Sequence, residues 1–296
     1  MRVLRWILGA LVALVLLVVT TVYGVTEWQM RQRGDVPART PLAIVRDSAT
    51  IARGAHLTST YAGCVDCHGA DFGGRIVIDN PAVGRLVGTN LTTGAGGVLA
   101  QYSDEALDAA LRHGVGPDGR KLRFMPAHEF SGLADADVAA IIAYLRSLPP
   151  VDRTMPATRI GPLARVLHLA DQFILLPYDR IDHSKQSLAA APVGVNTAHG
   201  AYIANACVGC HGPQLSGGPI PGAPPEWKPA ANITPAGIGR WSEDDFMRAM
   251  RTGVRPGGTT IDALMPWRLY KDMTDDELRA LYGYLRTVGA RQYGMR

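Results

Sequence analysis

The chain has no run of lysines and arginines that could follow a nucleic-acid backbone. Its formal net charge is only +4, and residues 1–40 carry +3 of it, five arginines against Glu27 and Asp35. Aromatic residues are scarce as well, at 7% of 296 residues, and there are only four cysteines. The weak and uneven charge excludes a nucleic-acid partner.

All four cysteines lie in two copies of one short pattern, Cys-x-x-Cys-His. The copies consist of Cys64, Cys67 and His68, and of Cys207, Cys210 and His211. This pattern is the attachment signature of c-type haem. The two thiols form thioether bonds to the vinyl groups of one porphyrin, and the adjacent imidazole reaches the iron from the proximal side. The sequence therefore predicts two covalently bound haems c.

Other uses of paired cysteines are a disulfide within each pair, a thioredoxin-like redox pair and a zinc ribbon. The first two do not explain a histidine directly after both pairs. The knuckles of a zinc ribbon lie about 15 to 20 residues apart, whereas Cys64 and Cys207 are 207 − 64 = 143 positions apart. Haem is therefore favoured, and a buried porphyrin in each domain would reduce the need for aromatic side chains.

An internal repeat supports two separate sites. Asn-Leu-Thr at 90–92 recurs as Asn-Ile-Thr at 232–234, and Tyr-Leu-Arg at 144–146 recurs at 284–286. The repeat predicts two homologous domains, residues 48–150 and 196–296, joined by an inter-domain segment at 151–195 that matches neither copy.

The repeat also indicates the second axial ligand of each iron. Met125 and Met265 occupy matching positions, and each precedes a proline that stiffens the loop. We therefore predict axial pairs of His68 with Met125 and of His211 with Met265. His128 is the strongest rival, although its counterpart in the repeat is an arginine.

The N-terminal segment has the features of a membrane-targeting sequence. Residues 7–25 run for 19 positions without a charge, which is about the length that crosses a bilayer as a helix. A cleaved signal peptide is the alternative, but its apolar core is usually shorter. Residues 1–30 are predicted to be an uncleaved anchor, followed by a linker at 31–47. Arg2 and Arg5 favour a cytoplasmic N-terminus, which places the haem domains in the periplasm of a bacterial inner membrane.

The coarse pattern is mainly α-helical. We expect a helix at 48–63 that runs into Cys64, a glycine-rich loop at 69–88, and a last helix of the first domain at 134–147. Ser103 and Ser242 are expected to cap helices, and Thr274 with Glu277 forms a capping box. The apolar stretch at 160–176 is expected to fold back on the chain or to touch the membrane.

The chain resembles the class I cytochrome c superfamily, and more narrowly the membrane-bound multihaem cytochrome c subunits of bacterial alcohol, aldehyde and gluconate dehydrogenases. The resemblance covers roughly residues 48–290 and depends on Asn-Ile-Thr-Pro at 232–235, Trp-Ser at 241–242, Met-Pro at 265–266 and Tyr-Leu-Arg at 284–286. Those subunits typically carry three haem motifs and a C-terminal anchor, whereas this chain has two motifs and an N-terminal apolar segment. The resemblance implies two tandem class I cytochrome c domains.

The predicted function is electron transfer rather than catalysis. Two strong axial ligands leave no open position for a substrate, and a thioether ligand raises the potential. The expected partners are redox proteins, either a membrane dehydrogenase, an oxidase or another electron-transport complex. A dihaem peroxidase and a subunit of a terminal oxidase are the alternatives. Candidates for hydrogen bonds to haem propionates are Asn90, Asn232, Tyr102 and Trp241, with helix capping or core packing as equally good explanations.

Overall fold

The structure, a computed structural model, describes residues 1–224 and 226–295. Its helices are α1 (Arg2–Arg31), α2 (Ser48–Ser59), α3 (Cys64–His68), α4 (Asp104–His113), α5 (Ala127–Phe130), α6 (Asp135–Ser147), α7 (Pro162–Leu169), α8 (Thr197–Ala204), α9 (Val208–His211), α10 (Pro235–Ile238), α11 (Glu243–Thr252), α12 (Trp267–Tyr270) and α13 (Asp275–Thr287). Its strands are β1 (Arg75–Asn80), β2 (Gly84–Gly88) and β3 (Arg159–Ile160). Short 3₁₀ turns lie at Leu99–Gln101, Pro177–Arg180 and Asn205–Cys207. The described chain is therefore mainly helical, as expected.

The same succession of helices occurs twice. In the first half, residues 48–150, α2 packs on α6, and in the second half, residues 196–295, α8 packs on α13. Between these packed helices each half carries an attachment helix, a longer capped helix and a four-residue helix after the Met-Pro pair: α3, α4 and α5, then α9, α11 and α12. The buried side chains of both halves join into one continuous apolar cluster.

The paired helices of each half cross at a glycine. A Cβ built on Gly54 would collide with the carbonyl oxygen of Ala140, and one built on Gly200 would collide with that of Ala280. The helices therefore approach with backbone against backbone at matching points. Only glycine permits this approach without moving the helices apart.

We expect Gly54→Ala to destabilise the protein by about 1–3 kcal/mol, because the added methyl overpacks the helix crossing. Gly283→Ala in α13 is the matched control, since nothing lies within 4 Å of its added Cβ. That control should stabilise the chain by up to about 1 kcal/mol through helix propensity alone. Urea unfolding of both variants measures the difference, and equal midpoints for the two would contradict the close crossing.

The predicted helix caps are confirmed. The Ser103 hydroxyl accepts a hydrogen bond from the Ala106 N–H at 3.1 Å. Ser242 and Thr274 each begin a helix with a complete capping box, the second one with Glu277 as expected. Helix α6 occupies Asp135–Ser147, within one residue of the prediction.

The predicted helix at 48–63 is too long. Helix α2 ends at Ser59, and the cysteine pair begins a separate short helix. The hydroxyls of Ser59 and Thr60 both donate to the carbonyl of His56, which competes with the backbone hydrogen bonds of a continuing helix. Gly63 then adopts a left-handed conformation with φ of 58°, which ends any continuation.

The glycine-rich stretch is not a loop throughout. Strands β1 and β2 form an antiparallel hairpin within it, and β3 of the inter-domain segment adds a third strand to the sheet. Gly84 pairs with Ile160, and a Cβ on Gly84 would collide with the backbone of Arg159. The inter-domain segment therefore folds back on the first half at this sheet.

Helix α1 is the one helix among the described residues that is long and apolar enough to cross a membrane. Its most apolar 18-residue window has a mean hydropathy of 2.5 and no buried surface. The C-terminal end differs, because Thr26 and Met30 are buried. Arg165 of α7 donates to the Thr26 hydroxyl at 2.6 Å, and Met30 packs with Leu175 and Leu176.

A buried ionic network joins the two halves. Arg53 of α2 donates to Asp137 at 3.0 Å and to Glu277 at 3.1 Å. Each acid also bonds a residue of the opposite half: His56 contacts Glu277 at 2.7 Å, and Tyr202 donates to Asp137 at 2.7 Å. His56 and Tyr202 match in the repeat, as do Asp137 and Glu277, so these two contacts are equivalent. Burial favours a raised pKa for Glu277, but its hydrogen bonds with His56 and with the Thr274 N–H, together with the charges of His56 and Arg53, outweigh burial and lower that pKa to about 2.

Candidate haem sites

The two cysteine motifs fold in nearly the same way. Helix α3 ends at His68 and is followed by Gly69 with a φ of 81°, and α9 ends at His211 and is followed by Gly212 with a φ of 77°. In each motif the two cysteines are three positions apart on one helical turn. This spacing brings both sulfurs to one side of the turn, as attachment to a single ring edge requires.

The surroundings of three of the cysteines favour the protonated thiol. Burial raises the pKa of Cys64 to about 12 and that of Cys207 to about 12, and burial also raises the pKa of Cys67. Redox-active cysteine pairs depend on a lowered thiol pKa, so a thioredoxin-like use of these pairs is disfavoured. Within residues 1–224 and 226–295, no group of three or more His, Cys, Asp or Glu side chains converges as a zinc site requires.

Both motif histidines are oriented by a backbone carbonyl. Nδ1 of His68 lies 2.8 Å from the carbonyl oxygen of Thr89, and Nδ1 of His211 lies 2.7 Å from that of Ala231. A carbonyl oxygen can only accept, so each Nδ1 carries the proton and each Nε2 carries the lone pair. Burial lowers the pKa of His68. This orientation fits a metal-ligating imidazole, whose other nitrogen usually donates to such a partner.

A repeated asparagine directly follows each of those two carbonyls in sequence. Oδ1 of Asn90 accepts from the Thr92 N–H at 2.9 Å, and Oδ1 of Asn232 accepts from the Thr234 N–H at 2.9 Å. The amide of Asn90 donates to the carbonyl of Val151 at 2.7 Å, and that of Asn232 donates to the carbonyl of Arg291 at 2.8 Å. The asparagine side chains therefore bond the backbone beside the histidine acceptor, which favours loop packing over a propionate contact.

The two Met-Pro pairs have the same local geometry. The N–H two residues after each methionine donates to the methionine carbonyl at 2.8 Å, from Ala127 in the first half and from Trp267 in the second. Pro126 has φ −78° and ψ 54°, and Pro266 has φ −78° and ψ 45°, near the values of an inverse γ-turn. The backbone therefore turns in the same way after each methionine.

The second half contains a cavity suited to a porphyrin. Its volume is about 640 Å³, within the roughly 300–1,000 Å³ typical of ligand pockets. Cys207, Cys210, His211 and Met265 all lie in its wall. Most of the other wall residues are apolar, among them Ile203, Phe246, Met250, Met273, Leu281 and Leu285. The thiols, the imidazole and the thioether predicted from sequence thus converge on one apolar space, and these residues fit the group.

The remaining histidines differ in their contacts. Nδ1 of His113 lies 2.9 Å from Nδ1 of His183, so His113 is occupied by a contact with the inter-domain segment. His128 lies on α5 after the Met125 turn, and its buried Nδ1 has no hydrogen-bond partner among the described residues. A buried nitrogen without a partner calls for an explanation. His128 therefore stays the alternative to Met125, while its counterpart Arg268 lies over the ring of Trp267.

The Thr89 and Ala231 carbonyls were not predicted from sequence. A signal was present, because each directly precedes the repeated Asn-x-Thr. Tyr61 also lies in the wall of the second-half cavity. It has no counterpart in the repeat, so no such signal existed for it.

The chain is similar to known cytochromes c in both of its halves. The cytochrome c family matches residues 51–149 and again 197–289. The chain is 29% identical to the fructose dehydrogenase cytochrome subunit of Gluconobacter japonicus, over 92% of this chain and 58% of that protein. It is 28% identical to the cytochrome c subunit of the quinone-dependent alcohol dehydrogenase of Gluconacetobacter polyoxogenes, over 86% and 58% respectively. It spans 58% of the length of these two relatives.

A shorter relative carries two haems. The diheme c-type cytochrome of Cereibacter sphaeroides is 26% identical, over 77% of this chain and 82% of its own length. The two attachment motifs and the two family matches agree in number, and the cofactor of this chain is covalent haem c. A chain matched in both halves by one family, with its motif histidines oriented for iron, belongs to the cytochrome c family.

Proposed function

We propose that this chain is a membrane-anchored dihaem cytochrome that passes electrons between redox partner proteins, as the electron-transfer subunit of a dehydrogenase or a comparable complex. Each half forms one cytochrome c domain with one haem. The observation that carries the proposal is the convergence of Cys207, Cys210, His211 and Met265 on one apolar cavity. The dehydrogenase partner is inferred from the printed names of the relatives.

Each residue of the two sites has a separate role in holding the haem. Cys64 with Cys67, and Cys207 with Cys210, hold the ring covalently. His68 and His211 supply the proximal nitrogen, which the Thr89 and Ala231 carbonyls orient.

Met125 and Met265 supply the distal sulfur from the Met-Pro turns. The bound haem supplies a one-electron Fe(III)/Fe(II) couple. With a histidine and a methionine holding the haem, no position would be left for water or a substrate, so the haem would supply electron passage and not bond-making chemistry.

The anchor is supported by how α1 ends. Its last turns are part of the folded chain, because Met30 is only 1% exposed and Thr26 accepts a hydrogen bond from Arg165. Cleavage near residue 25 would remove the helix that presents these residues. An exposed apolar stretch followed by a packed C-terminal end is the arrangement expected of a retained anchor.

Isolation from native membranes in mild detergent tests the proposal. The chain should stay with the membrane after a high-salt wash and should still contain residues 1–25. It should copurify with the large subunit of a dehydrogenase. Copurification with a haem-copper subunit would instead assign it to a terminal oxidase. A resting high-spin haem whose spectrum changes with peroxide would make it a dihaem peroxidase. Release of a shortened chain by salt would contradict the anchor.

A further inference from the structure

Tyr61 belongs to the first half by sequence but lies in the wall of the second-half cavity. It stands three residues before Cys64 and is 7% exposed. It shares the wall with Ile203, Cys207, Cys210, Met265 and Leu285. The space built around the second pair of cysteines is thus completed by a residue next to the first pair.

The ring of Tyr61 is held in place by the ionic network between the halves. Nη2 of Arg53 donates to the Tyr61 hydroxyl at 2.8 Å. Arg53 is itself fixed by Asp137 and Glu277, one acid from each half. A buried aromatic side chain whose polar tip is bonded to a fixed guanidinium has little freedom to leave the wall.

Each attachment loop is contacted by a residue of the other half. A Cβ on Gly209, between Cys207 and Cys210, would collide with Oε1 of Glu129 from the first half. A Cβ on Gly63, next to Cys64, would lie 3.5 Å from Leu269 of the second half. Glu129 and Leu269 match in the repeat, so each attachment loop is covered by the helix that follows the other half's methionine.

We propose that Tyr61 is a positioning residue for the second haem, supplied across the interface by the first half. Its ring packs on the group held at Cys207 and Cys210 and excludes water from that side of the cavity. Solvent access is one of the means by which a protein sets the potential of an iron site. A ferric haem carries more charge than a ferrous one, so a drier wall favours the ferrous state. This inference rests on the function proposed above.

The test compares three Tyr61 variants by redox titration of the two-haem protein. The second-site midpoint is identified as the one missing from the double variant Cys207→Ala with Cys210→Ala. Tyr61→Ala should shift that midpoint to more negative potential and leave the first-site midpoint unchanged. Tyr61→Phe, which keeps the ring, should stay close to wild type. The second-site midpoint of Tyr61→Leu should lie between those of the alanine and phenylalanine variants. The leucine variant replaces the alanine variant in the comparison if the latter does not fold.

Tyr202→Ala is the matched control. Tyr202 is 8% exposed and donates a hydrogen bond to Asp137 in the same network, but it is not in the wall of the second-half cavity. It should leave the second-site midpoint unchanged. An unchanged midpoint in both Tyr61→Ala and Tyr61→Leu would overturn the inference, as would an equal shift in Tyr202→Ala. Either outcome in a protein that still carries two haems leaves the proposed electron-transfer function standing.

Discussion

Replacing Met265 by leucine is expected to remove about half of the sulfur-to-iron charge-transfer absorption of the oxidised protein and to lower the midpoint of one haem, because one of two thioether ligands is lost. Leucine conserves the side-chain volume, so the change reports the sulfur rather than a cavity. Met250→Leu is the matched control, since Met250 lies with Met265 in the wall of the second-half cavity but is not proposed as a ligand. The control should keep the full absorption.

The first site is tested in the same way with Met125→Leu. The expected result is loss of the other half of the absorption. If Met125→Leu keeps the full absorption while His128→Gln alters the spectrum, then His128 is the ligand and the two sites differ. Full absorption in both methionine variants would contradict both assignments.

Arg53→Leu is expected to cost about 3–5 kcal/mol of unfolding free energy, because it leaves Asp137 and Glu277 buried without their shared cation. These acids are 4% and 2% exposed. Arg279→Leu is the matched control, because Arg279 pairs with Glu243 at 3.2 Å where both side chains are more than 40% exposed. Exposed pairs contribute at most about 1 kcal/mol.

Urea unfolding of the haem-loaded protein measures both effects, with the slopes compared to check that the unfolded states are alike. A loss for Arg53→Leu no greater than that for Arg279→Leu would mean that the network between the halves contributes little to stability.

Features encoded in short stretches of sequence could be predicted. The caps at Ser103 and Ser242 depend on a hydroxyl and the N–H three residues ahead, which are neighbours in sequence. The turns at Met125 and Met265 depend on one proline each. The repeat also predicted the second pair of cysteines, His211 and Met265 as one site, and all four line one cavity, while their roles as haem ligands stay predictions.

Features that depend on distant partners could not be predicted. Strand β2 is stabilised partly by β3, more than seventy residues later, and no local pattern indicates that pairing. Arg53 pairs with one acid from each half, and Tyr61 lies in the wall of the second-half cavity, and neither contact follows a periodicity in sequence. The end of α2 was missed because hydroxyl hydrogen bonds at Ser59 and Thr60 overrode an otherwise helical stretch.

The most direct test of the central claim is the mass of the mature protein together with the masses of its proteolytic peptides. Two haems are expected, one on the peptide that contains Cys64 and Cys67 and one on the peptide that contains Cys207 and Cys210. A mature chain with no added haem mass, or with both added masses on peptides outside these two motifs, would contradict the account.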